Sequence, residues 1–183
     1  MGAITKGLVL FLALFFVSDQ YQINASKFKF TNFVCDSVNP SWIEVHQCRL
    51  KAIRRDKTIL NFNGSLLQTA RKGRLHGEMF KKASGWKPWL YNVTVDACRF
   101  VRKPYVPVAI LVFNMFKDNS NFNHPCPYSG PVYVMGVHVF PETIPVPLPS
   151  GEYLILIKWY VASYRNLSSE LIISTGIYFS FDE

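Results

Sequence analysis

The stretch WLYNVTVDACRF, residues 89–100, decides the fold. Trp89, Tyr91, Val93, Val95 and Ala97 recur at every second position, with Asn92, Thr94 and Asp96 between them. Successive side chains of an extended chain point to opposite faces, so this alternation predicts a strand with one apolar and one wet face. Working outward, the same period appears in KFKFTNFVC (27–35), WIEVHQCRLKAI (42–53) and TILNFNGSLLQ (58–68). It returns in VYVMGVHVF (132–140), EYLILIKWYVASY (152–164) and ELIISTGIYFSF (170–181). The last two flank the turn-forming YRNLSS (164–169) and predict a long hairpin.

One stretch keeps a different period. In PYVPVAILVFNMFKDNSN (104–121), Val108, Leu111, Val112, Met115 and Phe116 fall at helical spacing, and Pro107 suits a first helical turn. This predicts one short amphipathic helix over 107–118. PETIPVPLPSG (141–151) carries four prolines, too many for a central strand, and is expected to be an extended crossing or edge segment. Seven or eight strands joined mostly by hairpins predict an all-β, immunoglobulin-like antiparallel β-sandwich with one short helix.

The chain has 183 residues, 49% of them hydrophobic, which suits one globular domain. MGAITKGLVLFLALFFVSDQYQINAS (1–26) pairs a basic residue, Lys6, with an unbroken apolar run from Leu8 to Val17. Small residues follow at Ser18, Ala25 and Ser26. That is the pattern of a signal peptide over residues 1–25, cleaved between 18 and 26, with a signal anchor as the alternative. Residues 26–183 would then form a single secreted, extracellular domain. The next most apolar stretch, VPVAILVFNMF (106–116), is too short for a bilayer and contains Pro107.

Export changes the reading of the cysteines. Cys35, Cys48, Cys98 and Cys126 all follow the leader, and an even number in an oxidising compartment reads as disulfides. FNHPCPYSG (122–130) places His124 and Cys126 close together, but no other residues at metal-ligand spacing complete a site, so neither metal nor cofactor is expected. Of three connectivities, Cys35–Cys48 and Cys98–Cys126 are favoured because each joins the end of a predicted strand to the next element. Closing each loop contributes about 3 kcal/mol.

Four N-x-S/T sequons occur, at Asn24, Asn63, Asn92 and Asn166. Asn24 lies in or beside the leader. Asn63 and Asn92 fall on the polar faces of their strands and Asn166 in a turn, so these three are candidate glycosylation sites. The net charge of +8 is unchanged by removal of Lys6 and Asp19 with the leader. Basic residues concentrate in 49–57, 70–82 and 98–103. They form either a solvated face or a surface for anionic headgroups, glycans or carboxylates; an exported chain is not expected to bind nucleic acid.

The candidate inner faces are rich in aromatics: Phe28, Phe30, Phe62, Trp89, Tyr91, Trp159 and Tyr178. They either fill a core or, if the sheets splay, line a cavity together with Val93 and the helix residues Leu111, Val112, Met115 and Phe116. Periodicity does not separate the two. His46, His76, His124 and His138 are scattered, and G-x-S-x-G and H-E-x-x-H are both missing from the sequence, so no enzyme is expected.

FTNFVCD, CRLKAIRRDKTILNF, WLYNVTVDACRFV, NHPCPYSG and PVPLPSGEY, in that order, resemble the insect family called domain of unknown function 1091. The five motifs run from about Phe30 to Tyr153 and place all four cysteines. That family is distantly similar to the MD-2-related lipid-recognition superfamily. The resemblance implies an immunoglobulin-like sandwich holding a lipid between its sheets, a dipteran source and, for some relatives, chemosensory tissue. The superfamily commonly ties its N-terminal region to a late strand by a disulfide; here no cysteine follows Cys126.

Two functions follow as expectations. The first is a secreted carrier for a lipid, sterol or hydrocarbon, with Lys81, Lys82, Arg102 and Lys103 as candidate headgroup contacts. The second is an extracellular interaction module with a filled core, partnered by a cell-surface receptor. A cavity favours the first and a close-packed core the second.

Overall fold

The computed structural model describes residues 26–55, 57–144, 148–163 and 168–183. The expected leader over 1–25, the sequons at Asn24 and Asn166, and 145–147 of the proline-rich segment lie outside the described residues. Among the described residues there are eight strands: β1 (Lys27–Ser37), β2 (Ile43–Arg54), β3 (Lys57–Ala70), β4 (Lys72–Ala83), β5 (Gly85–Asp96), β6 (Tyr128–Val137), β7 (Gly151–Ala162) and β8 (Glu170–Asp182). Two helices, α1 (Ala97–Arg102) and α2 (Pro107–Phe116), lie between β5 and β6. The strands form two antiparallel sheets, β1-β8-β7-β4-β5 and β2-β3-β6, stacked as the expected sandwich.

One strand has no counterpart in the sequence reading. β4 lies inside the larger sheet, paired to β5 on one side and β7 on the other. Its sequence, KGRLHGEMFKKA, reads as a basic run because its inward positions alternate Gly73, Leu75, Gly77 and Met79. Two of those four carry no side chain, so the apolar period is hidden, while the outward Arg74, His76 and Lys82 dominate the composition.

The strand at 89–100 also ends sooner than its alternation suggests. Asp96 adopts an extended conformation and its carboxylate accepts the Arg99 N–H at 2.8 Å, starting α1 at Ala97. An aspartate N-cap stabilises a helix start by about 1 kcal/mol. The short α1 is held down by Phe100, 5% exposed. The expected helix is α2, opened by Pro107 and followed by a 3-10 turn at Lys117–Asn119.

The two long edges of the sandwich differ. At one, the consecutive strands β1 and β2 are tied across the sheets by the Cys35–Cys48 disulfide. Phe30, Phe33, Trp42 and Ile43 are buried there. At the other, β5 and β6 belong to different sheets and are not paired. The chain crosses that gap through α1 and α2, and the Cys98–Cys126 disulfide pins both ends of the crossing. The favoured cysteine pairing is therefore the one present: Cys35–Cys48 joins strands of opposite sheets, and Cys98–Cys126 joins α1 to the segment that leads into β6.

Candidate functional site: a cavity between the sheets

Between the two sheets lies a cavity of about 390 Å³. From the larger sheet, Tyr91, Val93 and Val95 of β5 face it, with Ile155, Ile157 and Trp159 of β7 and Ile173, Thr175 and Ile177 of β8. Leu60, Phe62 and Leu66 of β3, with Val132 and Val134 of β6, form the opposite wall. Phe28, Phe30 and Phe33 line the β1 side. Ile144 and Leu148 come from the proline-rich crossing, whose described residues include a 3-10 turn at Pro141–Thr143.

The lid is α2. Nine of its ten residues are non-polar, yet none is buried, because Val108, Leu111, Val112, Met115 and Phe116 face the cavity. Its attachment to α1 runs through rings: Phe100 meets Tyr105 at 6.1 Å and Phe113 at 5.6 Å, and Phe113 meets Phe116 at 5.5 Å. Edge-to-face contacts of this kind contribute about 0.5–1.5 kcal/mol each beyond area burial. A helix this apolar would normally press its face onto a sheet; here much of that face borders a hollow.

The polar groups of the wall are largely satisfied within the protein. The Trp159 indole N–H donates to Thr175 Oγ1 at 3.1 Å, and the Thr175 hydroxyl donates to the Ile157 carbonyl at 3.4 Å. The Tyr128 hydroxyl donates to the His124 carbonyl, with the Phe122 carbonyl 3.1 Å away. Burial pushes the ionisation of Tyr128 above the ordinary tyrosine value, a rise that the backbone contact at His124 partly opposes. On the outward side of β4, Glu78 pairs with Lys158 at 3.3 Å and His76 at 3.6 Å.

Ten of the twelve candidate lining residues do border this cavity: Phe28, Phe30, Phe62, Tyr91, Val93, Leu111, Val112, Met115, Phe116 and Trp159. Two do not. Leu90 has φ +46° and the β4–β5 register shifts beside it, which breaks the alternation and leaves Trp89 outside the lining. The Trp89 ring instead lies 5.2 Å from the Lys81 ammonium, and its buried indole nitrogen has no hydrogen-bond partner. Tyr178 falls on the outer face of β8, where its ring meets Trp86 at 5.5 Å.

That outer cluster also explains why YLILI is apolar on both faces. Tyr153, fully buried, stacks inward on Phe179 at 5.3 Å, so Leu154 points outward. Leu154 is nonetheless only 9% exposed, lying beside Tyr178 in a small satellite cluster.

The four candidate headgroup residues are divided between the two ends of the sandwich, and none lines the cavity. Lys81 sits over Trp89 and Tyr153, and Lys82 forms an ion pair with Glu152 at 2.6 Å, both at the end holding Phe28 and Gly151. Arg102 and Lys103 lie at the opposite end, where Arg102 Nε donates to the Cys98 carbonyl at 3.2 Å. Lys72, at the start of the unforeseen strand β4, is exposed and shares the outward side of that strand with Arg74 and His76.

Asn92 is exposed on β5 and Asn63 half-buried on β3; both alternate with cavity-facing neighbours and so point outward. Cys126, between two prolines, is disulfide-bonded and forms part of the cavity wall. The four histidines stand apart: His46 beside Ser65, His76 beside Thr94, His124 stacked on Tyr128, and His138 beside the Thr58 carbonyl.

No curated protein matches the chain. Residues 75–155, from within β4 to the start of β7 and including both helices of the lid, match the family described as protein of unknown function (DUF1091), so this segment of the chain is similar to that family.

Proposed function

We propose that this protein is a secreted carrier that holds a lipid, sterol or hydrocarbon chain between its two sheets. The observation that carries the reading is the cavity of about 390 Å³, walled almost wholly by apolar side chains and roofed by an apolar helix with no buried residue. Small-molecule pockets of this chemistry span about 300–1,000 Å³. Each methylene moved from water into such a site contributes about 0.8 kcal/mol. A twelve-carbon chain would gain about 10 kcal/mol before the cost of ordering it. Nothing in this reading calls for a catalytic step. Export and glycosylation at Asn63, Asn92 and Asn166 belong to the same reading, supported by the leader-like N-terminus and two disulfides. So does an insect chemosensory setting, which rests on the resemblance alone.

The test is native mass spectrometry of protein secreted from insect cells, purified without detergent and freed of glycans, with an organic extract analysed in parallel. A reproducible added mass, recovered in the extract as a lipid or hydrocarbon, is expected. In Gly77→Leu it should disappear: Gly77 borders the cavity and a Cβ there would meet only the Val93 carbonyl, at 3.9 Å, so the strand accepts a side chain at the wall. A bare mass that stays bare after incubation with fatty acids and sterols would overturn the carrier reading. An interaction module would then be favoured by the exposed apolar residues Trp86 and Leu90 on the larger sheet and Tyr133 and Met135 on the smaller.

A further inference from the structure

The two sequons that lie in described strands have different surroundings. Asn63 of β3 pairs in register with Tyr133 of β6 on one side and with Gln47 of β2 on the other. Phe62, Val132 and Val134, their neighbours along the strands, line the cavity. Asn63 and Tyr133 therefore share the outer face of the smaller sheet. Asn92 of β5 pairs instead with Glu78, a carboxylate held by Lys158 and His76. One sequon faces an aromatic ring and the other an ion pair.

That ring is held in place and yet open to solvent. The Tyr133 N–H donates to Asn121 Oδ1 at 2.9 Å, and the Asn121 N–H donates back to the Tyr133 carbonyl at 3.3 Å. Asn121 Nδ2 also donates to the Pro131 carbonyl at 2.8 Å, so one asparagine fixes the edge of β6 from Pro131 to Tyr133. Tyr133 is nevertheless 42% exposed, and Met135, the next outward residue, 38%. Asn61, two residues before Asn63 on the same face, is buried and accepts the Gly136 N–H at 3.0 Å. Asn63 is only half-buried. Directly paired residues have Cβ atoms about 5 Å apart and diagonal ones about 7–8 Å. A sugar on the Asn63 amide nitrogen would thus start beside the Tyr133 ring, with Pro131 and Met135 as diagonal neighbours.

We propose that Asn63 carries an N-glycan whose first N-acetylglucosamine packs on the Tyr133 ring and covers the exposed apolar strip of β6. The C–H bonds on one face of a pyranose form an apolar surface with slight positive charge, which suits the negative face of an aromatic ring. This rests on the export and glycosylation within the carrier reading and adds which glycan is structural and what it covers. Occupied in this way, the outer face of the smaller sheet is closed to a protein partner at Tyr133 and Met135. Such a partner would be left with Trp86 and Leu90 of the larger sheet.

Thermal melting of the protein secreted from insect cells, with peptide mass mapping of both sequons, is the test. Asn63→Gln is expected to lower Tm by about 2–4 °C, the scale of one good cross-strand contact in a chain of this size, and Asn92→Gln to move it by less than about 1 °C. Trimming the glycans to the first N-acetylglucosamine should preserve Tm, because that sugar alone reaches the ring. In a Tyr133→Ala background, Asn63→Gln should have no further effect. Equal shifts from the two sequons, or a loss from Asn63→Gln that is undiminished in the Tyr133→Ala background, would overturn the contact while leaving export and glycosylation standing. An Asn63 peptide recovered without sugar would overturn both the contact and the modification it needs. The ligand of the cavity is read separately, by native mass spectrometry.

Discussion

The two long edges of this sandwich solve the same problem in opposite ways. Each must join a strand of one sheet to a strand of the other, and each uses a disulfide. At the β1/β2 edge the strands follow one another directly, and Trp42, 3% exposed, fills the corner. Its indole N–H donates to Glu170 Oε2 at 3.1 Å. At the β5/β6 edge the sheets stand apart, and the connection is long enough to hold two helices and a lid. One edge is packed and the other is bridged. The difference teaches that the same covalent staple can close a packed corner directly or pin a long crossing that spans a gap.

Core truncation should show the contrast most strongly. Trp42→Ala is expected to cost about 3–5 kcal/mol, since it removes a large buried ring and leaves a cavity. Leu111→Ala in the lid should cost below about 1 kcal/mol, because that side chain borders space and forfeits few contacts. Urea denaturation with an unchanged slope for both would measure this, and comparable losses would mean that the lid is packed as tightly as the corner.

The disulfides come next. Closing loops of sequence separation 13 and 28 contributes about 3 and about 3.6 kcal/mol by chain entropy. Removing either pair, as Cys35→Ala/Cys48→Ala or Cys98→Ala/Cys126→Ala, should therefore lower stability by similar amounts. Retention of a bound alkyl probe should fall only in the second variant, which unpins the lid. Equal loss of binding in both would erase the functional distinction between the edges.

The smallest effect concerns Tyr128, beside Cys126. Burial raises its ionisation above the ordinary value, so the folded protein keeps the proton to higher pH than the unfolded chain does. The associated stability is fully present below the unfolded tyrosine value near 10 and is lost as pH rises through the higher folded value. Tyr128→Phe should lose about 1 kcal/mol at neutral pH with its hydrogen bond, and show a shallower fall in stability above pH 10. Thermal melts across pH 8–11 would check it, and parallel curves would place Tyr128 in a wetter setting than its hydrogen bonds indicate.

Much of this molecule was legible because period-two alternation survives wherever inward positions carry side chains. Seven strands, the lid helix and both disulfides follow from it and from cysteine placement. β4 did not, since Gly73 and Gly77 occupy the inward positions where the pattern needed apolar side chains. Trp89 was misplaced by a local cause, the backbone break at Leu90, and Tyr178 by a global one, since β8 carries aromatics on both faces.

By itself, then, the sequence determined which residues alternate and where the helix and its proline begin, both of which depend on near neighbours along the chain; of three cysteine pairings it favoured one, and the structure decided that this is the one formed. Whether the aromatic faces meet in a solid core or stand apart around a cavity was decided only by tertiary structure. That outcome depends on the unpaired β5 and β6 edges and the helix bridging them. The gap between two sheets is set by what spans their edges, and no period within a single strand records it.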